Sequence, residues 1–273
     1  GDTSDAVEGF VKDCFEVVGH GGDATTRRFS ASTWLDQSLA RQDAWRMKLR
    51  ELHRWDLTPA EAIKLQRELA PQVVREGDPG DVRLVAAADV AFVEQTRGWR
   101  GGIARAAVVL MSYPEMALVE QHVIEAPVTF PYVPGLLSFR EIPVLALAFE
   151  RLSRAPDLLL VDGQGIAHPR RFGLAAHAGL LAGIPTIGCA KSRLCGEAAE
   201  PGRKRGSMSE LVDGGEVIGL VVRTKDGVKP LFVSVGHMIE LWEAADWVLR
   251  LAPAHRLPEP IRLADRLSKG HPL

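Results

Sequence analysis

The 273-residue chain has little cysteine: Cys14, Cys189 and Cys195 are the complete set. Three thiols argue against a disulfide framework and fit a reducing compartment. The spacing of Cys189 and Cys195 does not resemble a closed zinc site, so both are expected to be unligated. No apolar run reaches membrane-spanning length, and the start has neither a basic flank nor an apolar targeting segment. The expected location is the cytoplasm, with no membrane partner, and a monomer is expected. A large charge of either sign is also missing: 33 Lys and Arg face 35 Asp and Glu, for a formal net charge of -2. The surface as a whole is therefore not a polycation, and any affinity for nucleic acid must come from a local patch. One candidate lies between Ile166 and Glu210, where seven Lys or Arg face three acidic residues. No serine elbow and no cysteine–histidine signature compete for the chemistry.

What is present is an ordinary globular composition, 46% apolar and 25% charged, long enough for a core that needs no staple. Residues 1–37 show little periodicity and contain "GHGGDATTRR"; they read as an N-terminal extension, with one domain over 38–273. In "DLTPAEAIKLQRELA", Thr58 is a good N-cap, Pro59 suits the first helical position and Glu61 completes a capping box. Pro71 should disturb that helix near its end. "VRLVAAADVAFV", "GIARAAVVLMS" and "MALVEQHVIEAPV" read as three successive strands, plausible antiparallel partners. "PVLALAFERLS" reads as helix, "PDLLLVDG" as a buried strand, "FGLAAHAGLLAG" as a covering helix and "IPTIGCAKS" as another strand. "GEVIGLVVRTKDGVKPLFVSVG" looks like a hairpin turning at Asp226-Gly227. "MIELWEAADWVLRLA" should be a helix that His237 helps to begin, followed by the proline-rich "LPEPIRLADR". Antiparallel strands followed by a strand–helix–strand section indicate an α/β fold, a mixed sheet with helices on its faces.

Four carboxylates stand out. Asp89 interrupts an apolar strand, where a charge is expensive unless paired, hydrogen-bonded or bound to metal. Asp162 follows "LLLV" at a strand end, a common place for functional groups and equally an ordinary Asp-Gly turn. Glu141 lies in a first helical turn, where an acid also complements the helix dipole. Asp265 sits in "RLAD". Asp89, Glu141 and Asp162 together form a hard oxygen set that favours magnesium, with manganese able to substitute, over structural zinc. Such an ion would activate water and neutralise a departing oxygen, as in metal-assisted phosphodiester cleavage.

The order and wording of "DVAF", "FPYVPGLLSFRE", "LLLVDGQGIAHPRRFG", "IPTIGCAKSRL" and "RLPEPIRLAD" resemble endonuclease V, the deaminated-base nuclease family. The resemblance covers roughly residues 55–268. It implies a ribonuclease-H-like fold and an acidic site at Asp89, Glu141, Asp162 and Asp265, the last replaced by histidine in some members. It also implies a divalent-metal endonuclease that cuts DNA at the second phosphodiester bond 3′ to deoxyinosine. The ends left are 3′-hydroxyl and 5′-phosphate, and inosine-containing RNA is the alternative substrate. A third reading is a catalytically silent binding module that kept the fold.

Under that resemblance, Pro131 and Pro134 stiffen a loop whose Tyr132 separates strands, and Gly135 closes it. Gly163 and Gly165 allow a close backbone approach to the substrate. His168 is expected to donate to phosphate or to the attacking-water network, and Lys191 to balance phosphate charge. Arg140 either steadies Glu141 or contacts the backbone, and His237 is supporting. The basic run "PGRKRG", Pro201 to Gly206, is either a DNA-touching loop or a solvated charge run.

Overall fold

The computed structural model describes residues 47–94 and 102–273. The extension expected over 1–37, and Cys14 with it, lie outside the described residues. Eight strands among the described residues form a single sheet in the order β3-β2-β1-β4-β5-β8-β7-β6. They are β1 (Leu84–Glu94), β2 (Ile103–Ser112), β3 (Leu118–Pro127), β4 (Leu158–Val161), β5 (Thr186–Ala190), β6 (Met208–Asp213), β7 (Glu216–Val222) and β8 (Leu231–His237). The first three pair antiparallel, as expected. The sheet then becomes parallel through β1, β4 and β5, and antiparallel again from β5 to β8, β7 and β6. Helices α1 (Pro59–Leu69), α2 (Ser138–Phe149), α3 (Leu174–Ala182), α4 (Leu241–Arg250) and α5 (Glu259–Ser268) cover it. This is the mixed, helix-flanked sheet of the ribonuclease-H-like fold.

Alternation along the central strands decides which side chains meet. Val85 and Ala87 of β1, with Leu158 and Leu160 of β4, pack in one core with Ile261, Ala264 and Leu267 of α5. Ala86, Ala88, Leu159 and Val161 face the other way, onto Ile142 and Leu145 of α2. Side chains two residues apart share a face, so Asp89 and Asp162 continue the row that α5 covers. The amide of Asp162 donates to the Ala88 carbonyl at 3.1 Å, bringing both acids to the same end of neighbouring parallel strands. Ligand sites in open α/β sheets form at such carboxyl ends.

Local expectations fared unevenly. The Thr58 capping box is complete: the Glu61 amide donates to Thr58 Oγ1 at 3.3 Å, and the Thr58 amide donates to Glu61 Oε2 at 2.8 Å. The helix ends at Leu69, just before Pro71, and continues as a 3-10 turn. Helix α2 starts at Ser138, earlier than expected, and carries Pro143 inside it. No element was expected over "LPEPIRLADR". It is helical, with Pro258 as N-cap and Pro260 in the first turn, where a missing N–H costs nothing. Strand β6 was not expected. Its weak apolar signal, with Leu211 alone buried, suits an edge strand, and Gly214-Gly215 at φ 63° and 83° turn it tightly into β7. The hairpin of β7 and β8 exists, but Arg223–Pro230 intervene rather than a two-residue turn at Asp226-Gly227.

Candidate active site

One carboxylate oxygen each from Asp89, Asp162 and Asp265 lie within 4.8 Å of one another. The strands supply two of these acids and α5 the third. Ser268, one turn beyond Asp265, donates its hydroxyl to Asp89 Oδ2, and its Oγ also lies 3.0 Å from the Asp265 carbonyl. The Lys191 ammonium sits between two of the acids, in contact with Asp162 Oδ2 at 2.5 Å and with Asp265 Oδ1. Lys269 Nζ approaches both Asp265 oxygens, at 2.7 and 2.9 Å. Glu141 does not join the tight triad. It is 6% exposed at the start of α2, close enough to feel the charges of Asp89 and Asp162.

The electrostatics are those of an acid cluster short of positive charge. Burial, then the neighbouring Asp162, push Asp89 up to about 7, against the pull of Ser268 and Lys191. Full burial drives Glu141 well above the usual carboxylate range, and Asp89 and Asp162 push it further; Arg140 opposes this weakly. Asp265 goes the other way: burial would raise it, but Lys191 and Lys269 hold it below the ordinary value. Burial would lower Lys191, yet Asp162 and Asp265 secure its proton and raise it. Like-charge repulsion and desolvation of this kind are relieved by a cation. The donor set fits a hard divalent ion: every atom is a carboxylate oxygen, one from each acid lies within 4.8 Å of the others, and the buried Asp162 Oδ2 has the Lys191 ammonium against it at 2.5 Å, where a cation already sits. Asp89, Asp162 and Asp265 would hold it, with Glu141 behind.

Beside the acids opens a cavity of about 410 Å³ whose wall includes Tyr132, Pro134, Gly135, Gly163, His168 and Lys191. Asp162 belongs to both cavity and cluster. Tyr132 is 64% exposed on the rim, free to present its ring. Pro131 is half-buried behind it. Arg140 packs over the rings of Phe92 and Tyr132, at 4.8 and 5.8 Å, and donates to the Phe130 carbonyl at 3.0 Å. It braces the Tyr132 loop against the body, so the backbone it contacts is the protein's own.

Three expected roles need correction. His168 is buried with both ring nitrogens engaged: Nε2 donates to the Gly135 carbonyl at 3.0 Å, and Nδ1 accepts from the Arg170 amide at 3.2 Å. Burial and the Arg170 charge push it down to about 4, so it stays neutral and fixes the loop rather than serving phosphate or water. Gly165 is needed by packing, since a Cβ there would lie 2.0 Å from the Val235 carbonyl of β8. His237 ends β8 and begins no helix. It pairs with Thr186 at the start of β5, whereas Lys191 follows the other end, about 13 Å of strand away. Its Nδ1 accepts from the Val74 amide at 3.2 Å, which makes it a structural residue.

The basic run is mostly spent internally. Arg205 donates to the Leu249 and Ala252 carbonyls, and Lys204 pairs with Asp226 at 3.2 Å. Arg203 remains, lining a second cavity that also reaches Lys191. Cys189 is buried and Cys195 half-buried, and neither forms a disulfide among the described residues.

The family model for endonuclease V matches residues 67–266. The chain belongs to the endonuclease V family. It is 51% identical over 218 residues to an endonuclease V of Dehalococcoides mccartyi, covering 80% of this chain and 96% of that one. The crystal structure of the endonuclease V from Streptomyces avermitilis is similar with a TM-score of 0.73 at 40% identity, covering 82% of this chain and 96% of that chain. The endonuclease V of Ciona intestinalis, in complex with a 24mer DNA containing an inosine followed by a ribo-adenosine, is similar with a TM-score of 0.67 at 31% identity, covering 77% of this chain and 95% of that chain. A nuclease fold of this family thus frames the acid cluster and the cavity.

Sequence reasoning passed over Ser268, Lys269, Gln66 and Arg170. The first two had a readable signal. Once "PEPIRLADRLSKG" is taken as helix, Ser268 and Lys269 fall three and four residues after Asp265, on its face. Gln66 had none: it is 1% exposed, and its Nε2 donates to the carbonyls of Gly135, at 3.0 Å, and Phe172, at 2.9 Å. Arg170 joins the same carbonyl through Nη2 at 2.7 Å and Gln66 Oε1 through Nε at 2.5 Å.

Proposed function

We propose that the chain is a divalent-metal-dependent endonuclease that hydrolyses DNA at the second phosphodiester bond 3′ to deoxyinosine, leaving 3′-hydroxyl and 5′-phosphate ends, in repair of deaminated adenine. The observation that carries this is the sharing of Asp162 between the acid cluster and a base-sized cavity. A group that selects the lesion and a group that cuts the chain thereby stand on one rigid strand end. Magnesium, with manganese as a substitute, supplies Lewis acidity and a more acidic water when bound. The protein's own residues do the rest. Asp89, Asp162 and Asp265 gather negative charge where a cation is needed. Lys191 offers its ammonium to a phosphate oxygen, which compensates the charge that builds up as water adds and the 3′ oxygen departs. Tyr132 fills the gap in the base stack when the lesion swings into the cavity, and an inosine pair opens more readily than a matched one.

Asp89→Asn and Asp162→Asn should each abolish nicking of an inosine duplex while retaining much of the lesion binding. Wild-type nicking rates in both variants would overturn the mechanism. A silent binding module would instead show an unsubstituted protein that binds without any metal-dependent product in either magnesium or manganese. The ribo-adenosine after the inosine in the Ciona intestinalis complex favours RNA as the second reading. Matched all-deoxy and all-ribo strands distinguish the two: equal or faster cutting of the deoxy strand retires the RNA reading, whose recognition needs a 2′-hydroxyl.

A further inference from the structure

The second cavity, of about 610 Å³, shares only Lys191 with the first. Its other walls come from the loop after β5 and the loop between β7 and β8, and both are fastened from beneath. Arg223, 5% exposed, donates to the Pro201 and Gly202 carbonyls of the first loop at 3.0 and 3.1 Å, and to the Val228 carbonyl of the second. Arg256 donates to the carbonyls of Lys229 at 2.8 Å, Pro230 at 2.9 Å and Lys191 at 3.0 Å, which ties the second loop to the residue that touches the acids. These two arginines are spent on backbone. Arg203 and Lys229 are not: both are exposed and both line the cavity. Among the described residues neither has a carboxylate within ion-pair reach, since Glu200 is held by Arg223 at 2.6 Å and Asp226 by Lys204 at 3.2 Å. A cleft with fixed walls and unneutralised cations concentrates anions.

We infer that this cleft is a backbone subsite for the nucleic-acid strand on the 3′ side of the cut, with Arg203 and Lys229 holding its phosphate oxygens. The inference rests on the deoxyinosine reading above, which sets the direction of the strand. The lesion occupies the first cavity, and the scissile bond, on its 3′ side, lies at the acids that Lys191 touches. A strand that continues past Lys191 enters the second cavity. The strand 5′ to the lesion does not cross the acids and leaves elsewhere. Contacts of this kind carry no sequence information; they fix the register of the strand. Here they hold the strand beyond the cut in place, so that the second bond, rather than a neighbouring one, stays over the acids.

The test is equilibrium binding in EDTA, by fluorescence anisotropy over a range of potassium chloride concentrations. The probes are deoxyinosine strands: one with long flanks, one ending at the nucleotide just past the scissile bond, and one shortened equally on the 5′ side. Arg203→Gln combined with Lys229→Gln should weaken binding of the long strand about tenfold and lower its salt slope by about 1.4, the share of two single-strand phosphate contacts. Arg203→Lys, which keeps the charge, should bind within about twofold of the wild type. Both side chains lie on the surface, and the single glutamine variants, each losing about threefold, cover a folding failure of the double one. On the strand shortened at its 3′ side the double variant should match the wild type, and on the one shortened at its 5′ side the full loss should remain. A loss that persists without the 3′ flank, or that vanishes without the 5′ flank, overturns the subsite, as does an unchanged salt slope. All-ribo strands carry the same phosphates and should show the same loss; a loss confined to them would assign the contact to a 2′-hydroxyl and overturn it as well. Wild-type nicking in magnesium separates the two levels. No cut, or a cut 5′ to the inosine, overturns the deoxyinosine reading and the direction of the strand with it. A cut at the second bond on the 3′ side, without the flank-dependent loss, overturns the subsite alone.

Discussion

Two groups of charged side chains in this molecule use the same residue types to opposite ends. Around Arg171, two carboxylates face two guanidiniums: Arg171 meets Asp213 at 2.8 Å and Glu216 at 2.7 Å, and Glu216 also meets Arg75 at 2.5 Å. Burial would raise Glu216, but both arginines hold it below its ordinary value, while Asp213 and Glu216 raise Arg171 against burial. Around Asp162, four carboxylates share Lys191 and Lys269, and Asp89 is pushed up to about 7 by burial and by Asp162. The first set is balanced and fastens β6 and β7 to the loop after β4. The second is short of positive charge on a floor that leads into a cavity. A balanced set is scaffold; an unbalanced one invites a cation.

Removing an acid from the unbalanced set tests the difference most severely. Beyond the loss of nicking already stated, Asp89→Asn should stabilise the metal-free protein at pH 8 by on the order of 2 kcal/mol, because a buried like charge is gone and Ser268 keeps an acceptor. Denaturant unfolding in EDTA measures it. A destabilised Asp89→Asn would mean that the cluster carries no excess of negative charge.

The pH dependence of stability sharpens the contrast. Asp89 in the fold keeps its proton up to about 7, against 3.8 ordinarily, so the folded protein binds a proton there that the unfolded chain has released. Stability from this group is therefore full below 3.8 and declines as pH rises towards about 7. Four histidines, His53, His168, His177 and His237, act oppositely: burial lowers each below 6.5, so they cost stability as pH falls through that value. The Asp89 contribution is read as the difference between wild type and Asp89→Asn across pH 5–8 in EDTA, expected to grow with pH. Added magnesium should raise the wild-type melting temperature more at pH 8 than at pH 5, since proton and metal compete for the same oxygens. Equal metal-induced shifts at both pH values would contradict that competition.

In the balanced set the sign reverses. Arg171→Gln leaves Asp213 and Glu216 facing fewer guanidiniums and should destabilise by roughly 1–3 kcal/mol. Nicking should stay near the wild-type level once the protein is folded. Stabilisation here, as at Asp89, would erase the distinction between the two groups.

The sequence made the cluster legible because strand ends announce themselves. "LLLVDG" and "VAAADV" each put an acid after apolar residues, and the eventual triad came from four named carboxylates. Which three meet was not legible, since it depends on α5. The prolines of "LPEP" gave no helix signal although they sit where a helix accepts them, and without that helix Asp265 has no address. Glu141 looked equivalent to the others because sequence does not state how deep a side chain lies. The same limit applies to His168: "AHPR" signals a histidine near the site, but both of its nitrogens are taken by backbone partners, the Gly135 carbonyl and the Arg170 amide. Gly165 and His237 were misread for a kindred reason, their explanation being the neighbouring strand in one case and the wrong end of β5 in the other.

The smallest expected effect concerns the join between the two kinds of region. The Gly135 carbonyl receives Gln66, His168 and Arg170 at once, three donors on one oxygen of the Tyr132 loop. A carbonyl has two lone pairs, so the third donor adds the least and is the one to remove. Arg170→Lys keeps the charge but loses the fork that ties Gly135 to Gln66. The loop should then hold its place less tightly, raising KM for an inosine strand about threefold, with kcat changed far less. Gly135 itself has φ 78°, a left-handed conformation that favours glycine at this turn. Equal losses in kcat and KM would place Arg170 at the reacting phosphate instead, on the charged side of the molecule rather than the packed one.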